Sequence, residues 1–212
     1  MEYRKFYNGV KIPMLGFGVF QIPEYENAKN AVLTALKTGY RLIDTAQAYI
    51  NEKAVGDAIK ESGIPREEIF ITTKLWIQDF SYERAIKATE TSMERLGVDY
   101  IDLMLLHQPM GDYINAWKGL EKLYKDGKLK AIGMANCYPH VLADLCETFE
   151  IKPMINQVEI HPFFQQQMNL DTMNEYGVVP EAWGPFNEGM HDFFTNPILA
   201  EIGEKYGKSV AQ

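Results

Sequence analysis

The sequence predicts an α/β protein of the (β/α)8 TIM-barrel class. Short apolar strands alternate with amphipathic helices, and the β/α unit recurs roughly every 30 residues. So many units in simple succession favour a closed barrel over an open doubly wound sheet. Only seven strands of the main sheet can be counted, and the chain has 212 residues, whereas a barrel of this class usually needs about 250. We therefore predict a single domain over residues 1–212, with an N-terminal β-hairpin, whose eighth strand lies in a longer chain.

The hairpin is predicted at residues 5–14. Asn8-Gly9 separates two short apolar runs, and this pair is the strongest signal for a two-residue hairpin turn. A hairpin placed before the first strand of the main sheet is expected to act as a lid or plug at one end of the fold.

Apolar runs and helical spacing place the remaining elements in order. Helix ends are indicated by glycines such as Gly39 and Gly97, and helix starts by Asn51 and Ser81. Strands are predicted at residues 15–20, 41–44, 69–74, 100–107, 129–136, 154–160 and 178–183. Helices are predicted around residues 28–36, 51–63, 81–96, 117–124, 142–149, 168–176 and 197–206, with Ser209 as the cap of one more.

The composition limits the partners of the protein. The chain is 46% hydrophobic and 24% charged, with a net charge of −8 and no block of Lys or Arg, so neither nucleic acid nor an anionic membrane surface is an expected partner. No apolar run reaches the about 20 residues that span a bilayer, and residues 1–6 contain no apolar run of the kind found in signal peptides. We predict a cytoplasmic monomer. Cys137 and Cys146 are too few for a disulfide framework and are interpreted as small packing residues.

Four ionisable residues stand at or just beyond the ends of apolar strands. Asp44 closes one strand and Tyr49 follows it by five residues, while Lys74 and His107 close two later strands. The carboxyl ends of parallel strands meet at one edge of a sheet, so these side chains are expected to converge.

These four residue types can act together in proton transfer. A tyrosine has an unperturbed pKa of about 10, and a cation such as Lys74 would lower it. Asp44 would keep Lys74 charged, and His107 would hold a carbonyl oxygen. The set has no nucleophile and no metal-ligand spacing, which favours a hydride donor brought by a cofactor.

Each residue also has a structural interpretation. Asp44 can cap a helix or loop, Tyr49 can be an aromatic residue at the rim, Lys74 can extend to solvent, and His107 can be a satisfied core histidine. Their coincidence at matching strand ends favours the functional interpretation.

Several motifs resemble those of the aldo-keto reductase family, and the resemblance runs from the hairpin to residue 212. They are Gly16-Phe17-Gly18, Arg41 to Ala46 with Tyr49, Thr73 to Trp76, Asp102 to His107, Asn156 to Glu159, and Glu181 to Phe186. The pattern is most similar to the bacterial 2,5-diketo-gluconate reductase and prostaglandin F synthase branch. The resemblance implies an oxidoreductase that reduces aldehydes or ketones with NADPH.

The resemblance also implies roles for single residues. Tyr49 resembles the general acid, Lys74 and Asp44 the pair that tunes it, and His107 the residue that orients the substrate carbonyl. Further residues are implied to bind the nicotinamide or pyrophosphate, namely Asn136, Gln157, Trp183, Gly184, Pro185 and Phe186. Phe20 and Trp76 look like walls of the substrate pocket.

Two departures and two alternatives accompany this interpretation. Ala135 stands where the family commonly has serine, and the segment that grips the adenosine 2′-phosphate would follow residue 212, so a preference for NADP over NAD cannot be read. One alternative is a cofactor-binding but catalytically silent protein or fragment. The other is an enzyme that forms a Schiff base at Lys74.

Overall fold

The computed structural model describes residues 1–212 and contains nine strands and seven α-helices. The strands are β1 (Tyr3–Lys5), β2 (Lys11–Pro13), β3 (Gly16–Gly18), β4 (Leu42–Asp44), β5 (Phe70–Leu75), β6 (Leu103–Leu106), β7 (Ile132–Ala135), β8 (Ile155–Glu159) and β9 (Val179–Trp183). The helices are α1 (Tyr25–Lys37), α2 (Glu52–Ser62), α3 (Tyr82–Leu96), α4 (Tyr113–Lys125), α5 (Pro139–Thr148), α6 (Gln167–Tyr176) and α7 (Pro197–Lys205).

The main sheet has seven strands in the order β3-β4-β5-β6-β7-β8-β9, which is the order of the chain. Every neighbouring pair is parallel. This confirms the predicted succession of β/α units and is consistent with a barrel. Strands β3 and β9 form the two edges of the sheet, and closure by an eighth strand stays a prediction.

Alternating side chains divide the apolar core into two layers. One set of strand residues, including Leu42, Phe70 and Leu105, packs on the inner face together with the hairpin. The intervening residues, including Ile43 and Ile71, pack outward against the helices. A period of two along each strand therefore places Asp44 and Lys74 on the inner side.

The hairpin pairs β1 with β2 in antiparallel register, with Arg4 opposite Ile12. Its connection spans residues 6–10, so the predicted two-residue turn is wrong. Gly9 lies in this connection at a φ of +95°, a conformation that glycine adopts readily. Phe6 and Ile12 are buried against the first residues of the inner strands, so the hairpin plugs the N-terminal end of the sheet.

The predicted helix end at Gly39 is confirmed, because α1 ends at Lys37, Thr38 is its C-cap residue, and Gly39 follows at a φ of +105°. The helix predicted to begin at Ser209 would extend past residue 212 and stays a prediction. The Ser209 amide and hydroxyl donate to Gln212 Oε1. The predicted ends at Gly63 and Gly97 are confirmed, and both glycines adopt the left-handed conformation.

Cys137 and Cys146 are both buried and unpaired in the layer between sheet and helices, which confirms them as packing residues. Burial raises the pKa of the Cys146 thiol to about 11. None of the helices is long and apolar enough to cross a membrane.

Candidate active site

The predicted site residues meet at the carboxyl ends of the parallel strands. Asp44 ends β4, Lys74 lies one residue before the end of β5, and His107 follows β6 directly. Tyr49 comes from a short 3-10 turn, Gln47–Tyr49, that follows β4. The remaining residues lie at the neighbouring strand ends, with Asn136 after β7, Gln157 in β8, Trp183 at the end of β9, and Gly184, Pro185 and Phe186 beyond it.

Lys74 is the centre of the polar network, and only 1% of its surface is exposed. Its Nζ donates to Asp44 Oδ1 at 2.5 Å, to the Thr45 carbonyl at 3.1 Å and to the Tyr49 hydroxyl at 3.4 Å. Burial acts to lower the pKa of Lys74, but the negative charge of Asp44 and the nearby Tyr49 outweigh it, so the pKa lies above its ordinary value. Lys74 is therefore a buried ammonium, as predicted, and does not extend to solvent.

The pKa of Tyr49 differs from the prediction. Burial raises it, Lys74 acts to lower it, and Asp44 raises it again, so the pKa lies above its ordinary value. The expectation that Lys74 would bring it down overall is wrong, because desolvation of the phenolate is the larger effect. A raised pKa keeps the phenol protonated at neutral pH, which is the state that a proton donor needs.

His107 lies between two aromatic rings. Its ring centroid is 5.7 Å from that of Tyr49 and 5.0 Å from that of Trp76, both in edge-to-face geometry. Burial, aided by the charge of Lys74, lowers the pKa of His107 to about 3. The imidazole is therefore neutral at physiological pH, and its buried Nδ1 has no hydrogen-bond partner, so it is not a satisfied core histidine.

Sequence reasoning missed Gln47, which fastens the Tyr49 turn to helix α3. Its Nε2 donates to the Ala88 carbonyl and to Ser92 Oγ, both at 3.0 Å. Its Oε1 accepts from the Trp76 amide at 3.0 Å. One side chain thus fixes both the turn that carries the phenol and the backbone at Trp76. The signal in the sequence was the position of Gln47, a polar residue two positions before the predicted catalytic tyrosine.

Asn51 holds the other end of the same turn. It was predicted to cap helix α2, but its side chain makes no capping bond. Instead, its Nδ2 donates to the Val19 carbonyl at 2.9 Å and its Oδ1 accepts from Thr45 Oγ1 at 2.7 Å. The loop between β4 and α2 is therefore anchored to the loop after β3.

Asn136 and Trp183 are joined by a hydrogen bond. Trp183 Nε1 donates to Asn136 Oδ1 at 2.8 Å, and Asn136 Nδ2 donates to the His107 carbonyl at 3.1 Å. Asn136 has a φ of +56°, which asparagine tolerates better than most residues. The amide and the indole are thus fixed on the same edge as His107.

Gln157 and the loop after β9 complete this edge. Gln157 Nε2 donates to Asp44 Oδ2 at 2.9 Å, so Asp44 is held on both oxygens. Gly184 has a φ of +60°, and a Cβ added there would meet no atom within 4 Å. Pro185 and Phe186 are exposed and line the open side of this loop.

The two predicted pocket walls also lie at the site. The Phe20 ring is 5.0 Å from the Tyr49 ring, measured between centroids, and 56% of the residue is exposed. Trp76 packs edge-to-face on His107. A polar reaction centre is therefore flanked by aromatic surface, which suits a substrate with an apolar body.

The chain resembles known proteins along almost its whole length. The model of the family described as "Aldo/keto reductase family" matches residues 14–211. The glyoxal reductase of Bacillus subtilis is 49% identical over 209 residues, which cover 98% of this chain and 75% of that protein. The methylglyoxal reductase DkgA of Escherichia coli is 40% identical over 211 residues, which cover 98% of this chain and 76% of that protein.

Solved structures have the same fold. An aldo/keto reductase from Brucella melitensis superimposes with a TM-score of 0.93 at 42% identity, covering 99% of this chain and 81% of that one. A Bombyx mori aldo-keto reductase in complex with NADP gives a TM-score of 0.92 at 30% identity, covering 99% of this chain and 77% of that one. The chain belongs to the aldo/keto reductase family.

Proposed function

We propose that this protein reduces aldehydes or ketones to alcohols with NADPH, and that Tyr49 donates the proton. The observation that carries the proposal is the position of the Tyr49 hydroxyl, 3.4 Å from the buried ammonium of Lys74 and beside the neutral ring of His107. The named relatives are reductases of carbonyl compounds. Two structural relatives were solved with NADP or NADPH.

The residues of this chain fit a nicotinamide cofactor. The buried Nδ1 of His107 is unpartnered, and the amides of Asn136 and Gln157 and the indole of Trp183 lie on the same edge. We assign these amides to the carboxamide and the indole to the face of the ring. The open loop at Gly184, Pro185 and Phe186 is assigned to the pyrophosphate.

The protein groups divide the proton-transfer chemistry among them. When bound, NADPH would supply a hydride for the carbonyl carbon. The neutral His107 ring donates a hydrogen bond to the carbonyl oxygen and orients it. Tyr49 then gives its proton to that oxygen and becomes a phenolate. Lys74, at 3.4 Å, stabilises this phenolate by about 5 kcal/mol at an effective dielectric constant of about 20. A proton from solvent restores the phenol.

The walls of the site indicate the class of substrate. Phe20 and Trp76 form aromatic walls, which favour an aldehyde with an apolar body. The names of the relatives add small dicarbonyl compounds such as glyoxal and methylglyoxal. We also propose a single domain over residues 1–212, because the main sheet is one continuous sheet of seven strands, and a monomer, because every proposed catalytic group comes from one chain. The cytoplasmic location stays a prediction from the sequence.

The geometry of the site argues against the two alternatives. A catalytically silent protein is not expected to retain all four groups in contact. A Schiff base at Lys74 requires a neutral amine, but the pKa of Lys74 is raised by Asp44 and its Nζ donates to three acceptors.

The test is NADPH consumption with an aromatic aldehyde and with methylglyoxal. Tyr49→Phe should lower turnover by about 10²- to 10⁴-fold and leave NADPH affinity nearly unchanged, since only transition-state proton donation is lost. Tyr7→Phe is the matched control, because the Tyr7 hydroxyl bonds only to the Lys152 carbonyl at 2.8 Å, away from the site. Turnover of Tyr49→Phe within tenfold of the wild type would remove Tyr49 from its role, and no consumption by the wild type would favour the silent alternative.

A further inference from the structure

Glu181 is a carboxylate inside the sheet that the proposed mechanism does not use. It lies in the middle of β9, directly opposite Gln157 of β8. Val179, two residues earlier on the same face of β9, packs against the inner apolar layer, so Glu181 faces the interior. The residue as a whole is partly exposed, but its Oε2 is enclosed and has no hydrogen-bond partner.

Glu181 belongs to the same charged cluster as the proposed catalytic pair. Gln157 Nε2 donates to Asp44 Oδ2 at 2.9 Å, and the other oxygen of Asp44 accepts from Lys74. Glu181 is in register with Gln157, so a second carboxylate lies beside the amide and ammonium that hold Asp44. With both acids ionised the cluster carries a net negative charge, and with Glu181 protonated it is neutral. Burial, with a contribution from Asp44, raises the pKa of Glu181 to about 7, although Lys74 and Gln157 act to lower it.

We propose that Glu181 is a positioning residue whose protonation state follows the charge of the bound nicotinamide. Its ionised form favours the oxidised, positively charged ring, and its protonated form favours the reduced, neutral ring. This inference rests on the proposed function. Trp183, which we assign to the face of the nicotinamide, lies two residues further along the same face of β9, about 7 Å away along the strand. Glu181 is thus one side-chain layer below Trp183, which would hold the ring.

The sign of the effect follows from charge alone. The oxidised nicotinamide ring is positively charged and the reduced ring is neutral, so ionised Glu181 favours the oxidised cofactor. As pH rises and Glu181 ionises, the ratio of the Kd for NADP+ to the Kd for NADPH should fall. Two unit charges about 10 Å apart at an effective dielectric constant of about 20 predict a change on the order of tenfold.

The neighbouring groups are not expected to produce this dependence. The pKa of His107 is about 3, and those of Tyr49 and Lys74 lie above their already high ordinary values. Glu159 also faces this side from β8 and pairs with His161 at 3.0 Å, so it requires its own control. The 2′-phosphate is common to both cofactors and cancels in the ratio.

The experiment measures Kd for NADP+ and NADPH by quenching of tryptophan fluorescence between pH 5.5 and 8.5. The wild type and Glu159→Gln should show the fall in the ratio, while Glu181→Gln should show a constant ratio. A pH-dependent ratio that survives in Glu181→Gln, or one lost in Glu159→Gln alone, would overturn the inference. Absence of quenching by both cofactors would instead refute the proposed function.

A second measurement needs no variant that has to fold. In weakly buffered solution near pH 7, binding of NADP+ to the wild type should release more protons than binding of NADPH, and a pH indicator reports the difference. Equal release for the two cofactors would refute the role of Glu181 even if Glu181→Gln proved unstable.

Discussion

The ion pair between Lys74 and Asp44 gives a sharp prediction about stability. The side chains are 1% and 15% exposed, and their charged atoms are 2.5 Å apart. Lys74→Met keeps the length of an unbranched side chain, so little cavity is expected. What changes is that the Asp44 carboxylate loses its ammonium while it stays largely buried.

The expected loss can be estimated from these contacts. Removing one partner of a buried pair costs about 3–5 kcal/mol. Asp44 retains slight exposure and its hydrogen bond from Gln157, which places the cost near the lower limit, at about 3 kcal/mol. For a chain of this size that loss lowers Tm by about 6–12 °C. The double variant Lys74→Met/Asp44→Asn should recover most of it below pH 7, because residue 44 is then uncharged and Glu181, with a pKa of about 7, is mostly protonated.

The assay is thermal unfolding followed by circular dichroism, with Lys122→Met as the matched control. Lys122 pairs with Asp126 at the same distance of 2.5 Å, but its side chain is 51% exposed, so its loss should cost less than about 1 kcal/mol. Equal Tm values for Lys74→Met and Lys122→Met would refute the argument from burial. A double variant as unstable as the single one would show that lost packing, not the unpaired charge, is responsible.

The remaining predictions concern the rim of the site. His107→Gln should lower kcat/KM for an aldehyde by about 10- to 100-fold, because the carbonyl loses its orienting hydrogen bond. Because the pKa of His107 is about 3, wild-type kcat should show no His107-dependent step between pH 5 and 8. A step in that range that His107→Gln abolishes would contradict this. Ile50 is β-branched, 86% exposed and held at a φ of +59°. Ile50→Gly should therefore relieve backbone strain and raise Tm by about 1–4 °C. A lower Tm of this variant in a melting scan would be inconsistent with strain at this position. Trp183→Phe removes the donor to Asn136 Oδ1 and should weaken NADPH binding by about 2- to 10-fold, measured by fluorescence titration. An unchanged Kd would show that this hydrogen bond does not position the amide.

The order of the sheet was predictable because each strand is a short apolar run followed by an amphipathic helix. The residues at which the strands begin and end were less predictable. Residues 100–107 read as one strand, but regular pairing covers only Leu103–Leu106, and Ile101 makes only an isolated bridge to Leu129. An apolar run indicates that a segment is buried. The length over which it pairs depends on its register with the neighbouring strands, and that register cannot be read from the segment's own sequence.

The convergence of Asp44, Tyr49, Lys74 and His107 was predictable for a geometric reason, since parallel strands end on one edge. The pKa of Tyr49 was not, because it depends on how deeply the phenol is buried relative to the distance of one ammonium. Glu181 was visible in the sequence as an acid two residues before Trp183. Its position beside the Asp44 cluster depends on the pairing of β8 with β9 and on the hydrogen bond from Gln157 to Asp44, which joins residues far apart in the chain.

The reactivity of the two buried thiols can be used to measure local opening of the protein. Thiol reagents attack the thiolate, and in the native chain Cys146 is both shielded and protonated, with a pKa of about 11. Cys146 lies in α5 and Cys137 just before it. The rate at which an alkylating reagent labels these positions therefore measures how often α5 lifts from the sheet, beside the strand end that carries Asn136.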